Sequence, residues 1–239
     1  MPRTGPFQIA IDGVASTGKS ATARRLAQRL PHFVHIDSGA MYRCVTLKAL
    51  QHRLDAANPQ HHPDITALAQ HAALRLGPDA VLMDEHDVTH EIRSVRVSRA
   101  VSAVAAIAGV RTRLVALQQE LAHDPSFAGI VMEGRDIGST VLPNAHLKLY
   151  LDGLVKVRAQ RRLDEMKSGA SGGPNSAAGI SLEILMEDVQ NRDMADMARE
   201  ISPLRRAEGA VVVDTSYLTL EEQVSMIEAL VHERLARYS

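Results

Sequence analysis

Apolar and polar positions along this chain fall into short runs of continuous apolar residues separated by longer stretches with helical spacing. The runs at 9–12, 33–36, 130–132, 147–151 and 211–213 read as strands buried on both faces. Between and after them, helical spacing covers 21–30, the stretch from Ser38 that carries Met41, Val45, Leu47 and Leu50 inward, 110–123, 154–166 and 181–200. Thr219 followed by Glu222 has the form of a capping box opening a last helix. Strands alternating with helices predict an α/β fold, a doubly wound five-stranded parallel sheet whose ligands gather at the strands' carboxyl ends. Two stretches break the alternation. After a polar loop at 53–63, a helix from Asp64 and two strand-like runs at 73–76 and 80–83 suggest an inserted subdomain. The glycine- and serine-rich residues 167–179 are too polar to pack and read as the tip of a mobile lid. The expected organisation is one domain: core 1–37, 112–160 and 201–239, insert 38–111, lid 161–200.

Composition narrows the picture. With 239 residues, 45% hydrophobic, 3% aromatic and no tryptophan, the chain can bury a full core, and that core must be aliphatic. A net charge of −1 gives no general attraction to nucleic acid or an anionic membrane, so any phosphate site must be local. The stretch Val101–Val110 is too short to span a bilayer. The lone cysteine, Cys44, excludes an internal disulfide, and the first apolar run lacks the form of a signal peptide, which together point to the cytosol. Cys44 itself reads as a small buried hydrophobe. His61 and His62, between two prolines, have no third ligand at a useful spacing and read as surface loop.

The chemistry starts where the first strand runs into Gly13-Val14-Ala15-Ser16-Thr17-Gly18-Lys19-Ser20, the GxxxxGKS pattern of a P-loop. Its backbone N–H groups and the following helix N-terminus suit a polyphosphate; Lys19 would reach the β and γ phosphates, and the Ser20 hydroxyl would bind Mg²⁺. Three further clusters fall at strand ends. Ser38, Tyr42 and Arg43 open a helix after the second strand, a second place for an anion. Glu133-Gly134-Arg135-Asp136 follows the third strand; beside a P-loop, Glu133 is placed to hold Mg²⁺ through water and Arg135 to take a second phosphate. Arg158, Arg161 and Arg162 enter the flexible stretch and Arg192, Asp193, Asp196 and Arg199 leave it, with Arg192, Asp196 and Arg199 at the spacing of one helix face. Arginines bracketing a mobile tip are arranged as a lid that could bring positive charge over transferring phosphates.

These blocks resemble the nucleoside monophosphate kinases and, among them, the bacterial cytidylate kinases. The similarity runs nearly end to end: IDG with GKS, DSGAMYR at Asp37–Arg43, EIR at Glu91–Arg93, VMEGRDIG at Val131–Gly138, VLPNA at Val141–Ala145, and the block from Arg192 to Ala210. Glu133 stands where several members have aspartate, Ser139 where many have threonine, and the tip at 168–179 is longer than the family pattern. The resemblance implies MgATP as donor, held by Gly13 to Ser20 with Asp214 to Ser216, and so Thr215, near the adenine. It implies that Ser38, Tyr42, Arg43, Arg135 and Arg199 hold the acceptor phosphate, that Ser102, Arg111 and Asp136 read the cytosine, and that Arg192 and Asp196 reach the sugar. It makes Lys19, Arg158, Arg162, Arg192 and Arg199 the catalytic set, Arg158 and Arg162 being lid arginines. The expected reaction is phosphoryl transfer from MgATP to CMP and dCMP, by a monomer, with no nucleic-acid or membrane partner. A kinase for UMP, AMP or dTMP stays open as the alternative. A P-loop switch is the rival of another class, although the NKxD block of guanine-specific switches is missing.

Overall fold

The computed structural model describes residues 5–77, 80–168 and 180–238; of the tip read at 167–179, residues 169–179 lie outside the described residues. In chain order the elements are β1 (Phe7–Gly13), α1 (Lys19–Arg29), β2 (Phe33–Asp37), α2 (Ser38–Gln51), α3 (His62–His71), β3 (Leu74–Leu76), β4 (Val81–Met83), β5 (His86–Asp87), α4 (Val95–Val104), α5 (Ala108–Ala122), β6 (Gly129–Glu133), β7 (Leu147–Asp152), α6 (Val155–Lys167), α7 (Leu182–Met197), β8 (Val211–Asp214) and α8 (Leu220–Tyr238). The five apolar runs form one parallel sheet in the order β2-β6-β1-β7-β8. β1 is central, so its carboxyl end and the P-loop that follows lie between β6 and β7.

Strand alternation divides the core in two. Ile9, Ile11, Val131, Leu149 and Leu151 pack on one face with Leu26 of α1 and Ile227 and Val231 of α8. Ala10, Ile36, Ile130 and Met132 face the other way, with Met41 and Val45 of α2, Val101 and Val104 of α4, and Leu114 of α5. The expected aliphatic core is what forms. Cys44 is fully buried in a third cluster with Leu47 and Met83, and burial pushes its thiol up to about 12.

Local readings need four corrections. The loop at 53–63 contains a tight turn at Pro59–His61, capped by Asn58, and α3 already begins at His62 with a proline in its first turn. His61 and His62 serve that turn: Nδ1 of His61 accepts the Asp55 N–H at 2.9 Å and Nε2 of His62 lies 2.9 Å from the Ala56 carbonyl. The small sheet has a third strand, β5. Helix α4 was hidden by its valines, whose β-branched side chains favour strands; burial of Val97, Val101 and Val104 overrides that propensity. Helix α7 ends at Met197, so Arg199 lies beyond it and does not continue its face.

The capping box is present: the Thr219 hydroxyl accepts the Glu222 N–H, and the Glu222 carboxylate accepts the Thr219 N–H at 2.8 Å. Thr219→Ala is expected to lower stability by about 1 kcal/mol in urea titrations. No single helix among the described residues is long and apolar enough to cross a membrane.

Candidate active site

The P-loop is built by close approach. Gly13 has φ +144°, and a Cβ there would lie 2.0 Å from the Leu151 carbonyl oxygen on the neighbouring strand, so only glycine fits. The Val14 carbonyl accepts from the Thr17 hydroxyl at 3.2 Å and from Lys19 Nζ. Lys19 is buried, and burial, with the like charge of Arg135 next, holds its ammonium well below the ordinary lysine range. The Ala15 peptide is clamped on both sides. Its N–H donates to Asp193 Oδ1 at 2.8 Å, while its carbonyl accepts from Arg158 Nη1 at 2.9 Å, and the same nitrogen donates to Asp193 Oδ2 at 2.6 Å. Arg158 Nε donates to the Gly153 carbonyl at 2.8 Å. Arg158 is therefore fixed on the P-loop, rather than carried on a free lid. Arg162 is partly exposed and paired with Glu165, yet near enough that its charge adds to the lowering of Arg43 and Arg192.

Two strand ends meet beside Ser20. Asp37 and Glu133 are register partners at the carboxyl ends of β2 and β6. The Glu133 carboxylate lies 3.2 Å from His35 Nε2. Burial pushes Glu133 up, but the hydrogen bonds from His35 and Ser20 and the charges of His35 and Lys19 outweigh it, leaving the carboxyl below its ordinary range. Asp37 moves the other way, raised by burial and by the Glu133 charge. Its Oδ1 accepts the Ala40 N–H at 3.0 Å as the cap of α2. The helix end expected to be open to an anion thus already carries a carboxylate on one amide, and the Ser38 hydroxyl is spent on the Glu133 carbonyl at 2.6 Å.

The acceptor side is a cavity of about 80 Å³. It is lined by all ten residues assigned to the acceptor nucleotide, Ser38, Tyr42, Arg43, Ser102, Arg111, Arg135, Asp136, Arg192, Asp196 and Arg199. Arg111 pairs with Asp136, donates to the Ala105 carbonyl at 3.2 Å, and lies 5.4 Å from the Tyr42 ring centroid. Burial pushes the Tyr42 phenol up to about 12. Asp196 is gripped by Arg135 Nε at 2.8 Å and by Arg199. Both of its oxygens serve arginines, so in the free protein it orients them. Burial lowers Arg43 to about 10; burial followed by Arg135 and Arg43 lowers Arg192 to about 9. The Nε atoms of Arg111, Arg192 and Arg199 are buried without a hydrogen-bond partner. Unpaired guanidinium donors crowded by like charge are what an incoming anion relieves.

Thr215 follows β8 on the loop that leads to α8. It is fully buried, its hydroxyl donates to the Asp152 carbonyl at 2.9 Å and accepts from Arg161 Nη1 at 3.0 Å, so its side chain braces the β8 loop. Two carboxylates escaped the sequence reading as site residues. Asp193 clamps Ala15, and buried Asp12 accepts the Ile137 and Gly138 N–H groups at 2.7 Å each, fixing the turn that follows Asp136. Burial, only partly offset by those two N–H groups, raises Asp12 to about 6. A charged residue interrupting a buried apolar strand was the available signal for Asp12; for Asp193 it was its place among the arginines.

A polyphosphate cradle facing a second anion cavity across the carboxyl edge of a doubly wound sheet places the molecule among the P-loop kinases. The family model described as "Cytidylate kinase" matches residues 9–233. Proteins named cytidylate kinase from Desulforamulus reducens, Streptococcus pneumoniae (strain 70585) and Limosilactobacillus fermentum are 44%, 43% and 40% identical to this chain. The alignments cover 92%, 96% and 96% of it and 94%, 99% and 97% of those relatives. The chain belongs to the cytidylate kinase family.

Proposed function

We propose that the protein transfers the γ-phosphoryl group of MgATP to CMP, and to dCMP, giving ADP and the corresponding diphosphate. The observation that carries this reading is one cavity that gathers two groups, the unpartnered N–H donors of Arg192 and Arg199 and the carboxylate–guanidinium pair Arg111–Asp136. A monophosphate satisfies the first group. Cytosine, with an N4 amino donor beside N3 and O2 acceptors, suits the second, where Asp136 takes the amine and Arg111 and Ser102 supply donors.

Each group has a stated task. The Gly13–Ser20 amides and Lys19 hold the donor phosphates; Arg43, Arg135 and Arg199 hold the acceptor phosphate, with Tyr42 and Ser38 shaping the pocket. Arg192, with Asp196 orienting its neighbours, sits near the sugar and the transferring group. Arg158 braces the P-loop, and Arg162 approaches from α6. Transfer needs no covalent intermediate, so alignment and neutralisation of spreading charge are the main work. Ser20 and Glu133, with Asp37 opposite, offer only oxygen donors and no complete protein cage, which suits Mg²⁺ bound largely by phosphates and water. Mg²⁺, when bound with ATP, neutralises phosphate charge. The lone buried cysteine and balanced charge support a cytosolic enzyme with small-molecule partners.

The test is ADP release across CMP, dCMP, UMP, AMP and dTMP. A pocket that satisfies hydrogen bonds rejects a mismatched base by leaving buried groups unpaired, so kcat/KM for CMP should exceed that for UMP by at least about tenfold, or 1.4 kcal/mol. Asp136→Asn keeps the shape but removes the charge, and its amide can turn to donate to uracil. It should lower CMP turnover and narrow the CMP/UMP ratio to within about threefold. If both substrates lose equally, Asp136 is structural.

A further inference from the structure

The acceptor and donor pockets leave the part-buried side chain of His35, at the catalytic edge, without a task. It lies on β2 opposite Val131 of β6, two residues before the Asp37–Glu133 register pair. In parallel pairing, register partners and residues two apart point to one face. His35, Asp37 and Glu133 therefore share the face covered by α1, whose first turn carries Ser20. The His35 and Glu133 side chains are 10% and 5% exposed, and Nε2 stands 3.2 Å from Oε1.

Glu133 has a flexible side chain and faces another carboxylate across the sheet, and like charges directly opposite repel. Left alone, it would turn away from Asp37 and lose its aim. A carboxylate that is to meet a cation only accepts hydrogen bonds, so the donor in the metal-ready arrangement is His35 Nε2. We propose that His35 is a positioning residue for the metal-bearing edge of the site: its Nε2–H holds the Glu133 carboxylate in place beside Ser20, ready for the divalent ion that enters with ATP. The inference rests on the MgATP reading above. Partners that orient a ligand carboxylate in this way typically change metal affinity by tenfold or more when lost.

The test compares His35→Gln, which retains side-chain length and an N–H donor, with His35→Met, which has similar bulk and no donor. The readout is Mn²⁺ binding to the protein with a non-hydrolysable ATP analogue, followed by electron paramagnetic resonance of free Mn²⁺. His35→Gln should bind Mn²⁺ near the wild-type affinity and His35→Met about tenfold more weakly, with KM for CMP unchanged in both. Equal Mn²⁺ affinities in the two variants overturn the assignment, as does a loss matched by an equal rise in KM for CMP. If His35→Met does not fold, His35→Leu takes its place in the same comparison. Wild-type turnover of CMP is measured separately, so a failure of the kinase reading appears there and a failure of the His35 assignment appears in the Mn²⁺ titration.

Discussion

Lys19→Met is expected to lower turnover by at least about 10²- to 10³-fold, the range for removing one donor aimed at developing charge, while leaving the protein folded. The fold should tolerate it because Lys19 contributes little that is not duplicated. Its Nζ donates to the Val14 carbonyl and the Thr17 hydroxyl, and the Thr17 hydroxyl itself donates to that carbonyl, so Val14 keeps a partner. The buried stem is replaced by a methionine of similar length, which preserves packing. Charge is another matter. The pKa of Lys19 is held well below its ordinary range by burial first and then by Arg135, so the charged form is costly in the free protein. A donor phosphate would repay that cost, and the difference between empty and occupied loop is the catalytic advantage. Thermal melts should place the variant at or near wild-type stability, and ADP release should be nearly lost. Wild-type kcat in a folded Lys19→Met protein would remove the P-loop from the chemistry.

The parts of this site that could be read from the chain are those where one residue type at one spacing has one physical use. GxxxxGKS after an apolar strand required a tight turn, and Gly13 against the Leu151 carbonyl is the reason. The five apolar runs became the five strands because parallel strands buried on both faces leave an unbroken apolar signal. The ten residues assigned to the acceptor nucleotide converge on one cavity even though they come from α2, α4, α5, the loop after β6 and the α7 region. Family resemblance carried that assignment, since spacing could not bring Ser102 to Arg199. What stayed hidden were long-range pairings whose individual members look ordinary. Asp193 reaching Ala15, His35 reaching Glu133, and Arg161 bracing Thr215 are separated by 178, 98 and 54 positions. Helix α4 was hidden for a different reason, because its valines carry a strand propensity that only packing against α2 overrides.

Arg192→Met should separate stability from activity. Arg192 sits in the last turns of α7, half-buried, with its Nε out of solvent and unpartnered. Burial and then the charges of Arg135 and Arg43 lower its pKa to about 9. A basic group whose folded value lies below its unfolded value is charged in the fold at a cost when the pH is near 7. Replacing it by an uncharged chain of comparable bulk removes that cost, so the variant should melt at or above the wild-type temperature. Turnover should move the other way, because one arginine on a transferring phosphoryl group contributes about 10³- to 10⁵-fold. Ligand linkage gives an independent reading. CMP at 100 times its Kd stabilises a protein that binds it by about 2.7 kcal/mol, and at the same CMP concentration the variant should gain less, since a partner of the nucleotide has been removed. Wild-type Arg192 is then a strained cation in the free protein that becomes satisfied by its substrate. If Arg192→Met melts lower than wild type yet retains CMP turnover, the arginine is a brace for α7, and the charge that neutralises the transferring phosphoryl group must come from Arg135, Arg199 and Arg162 instead.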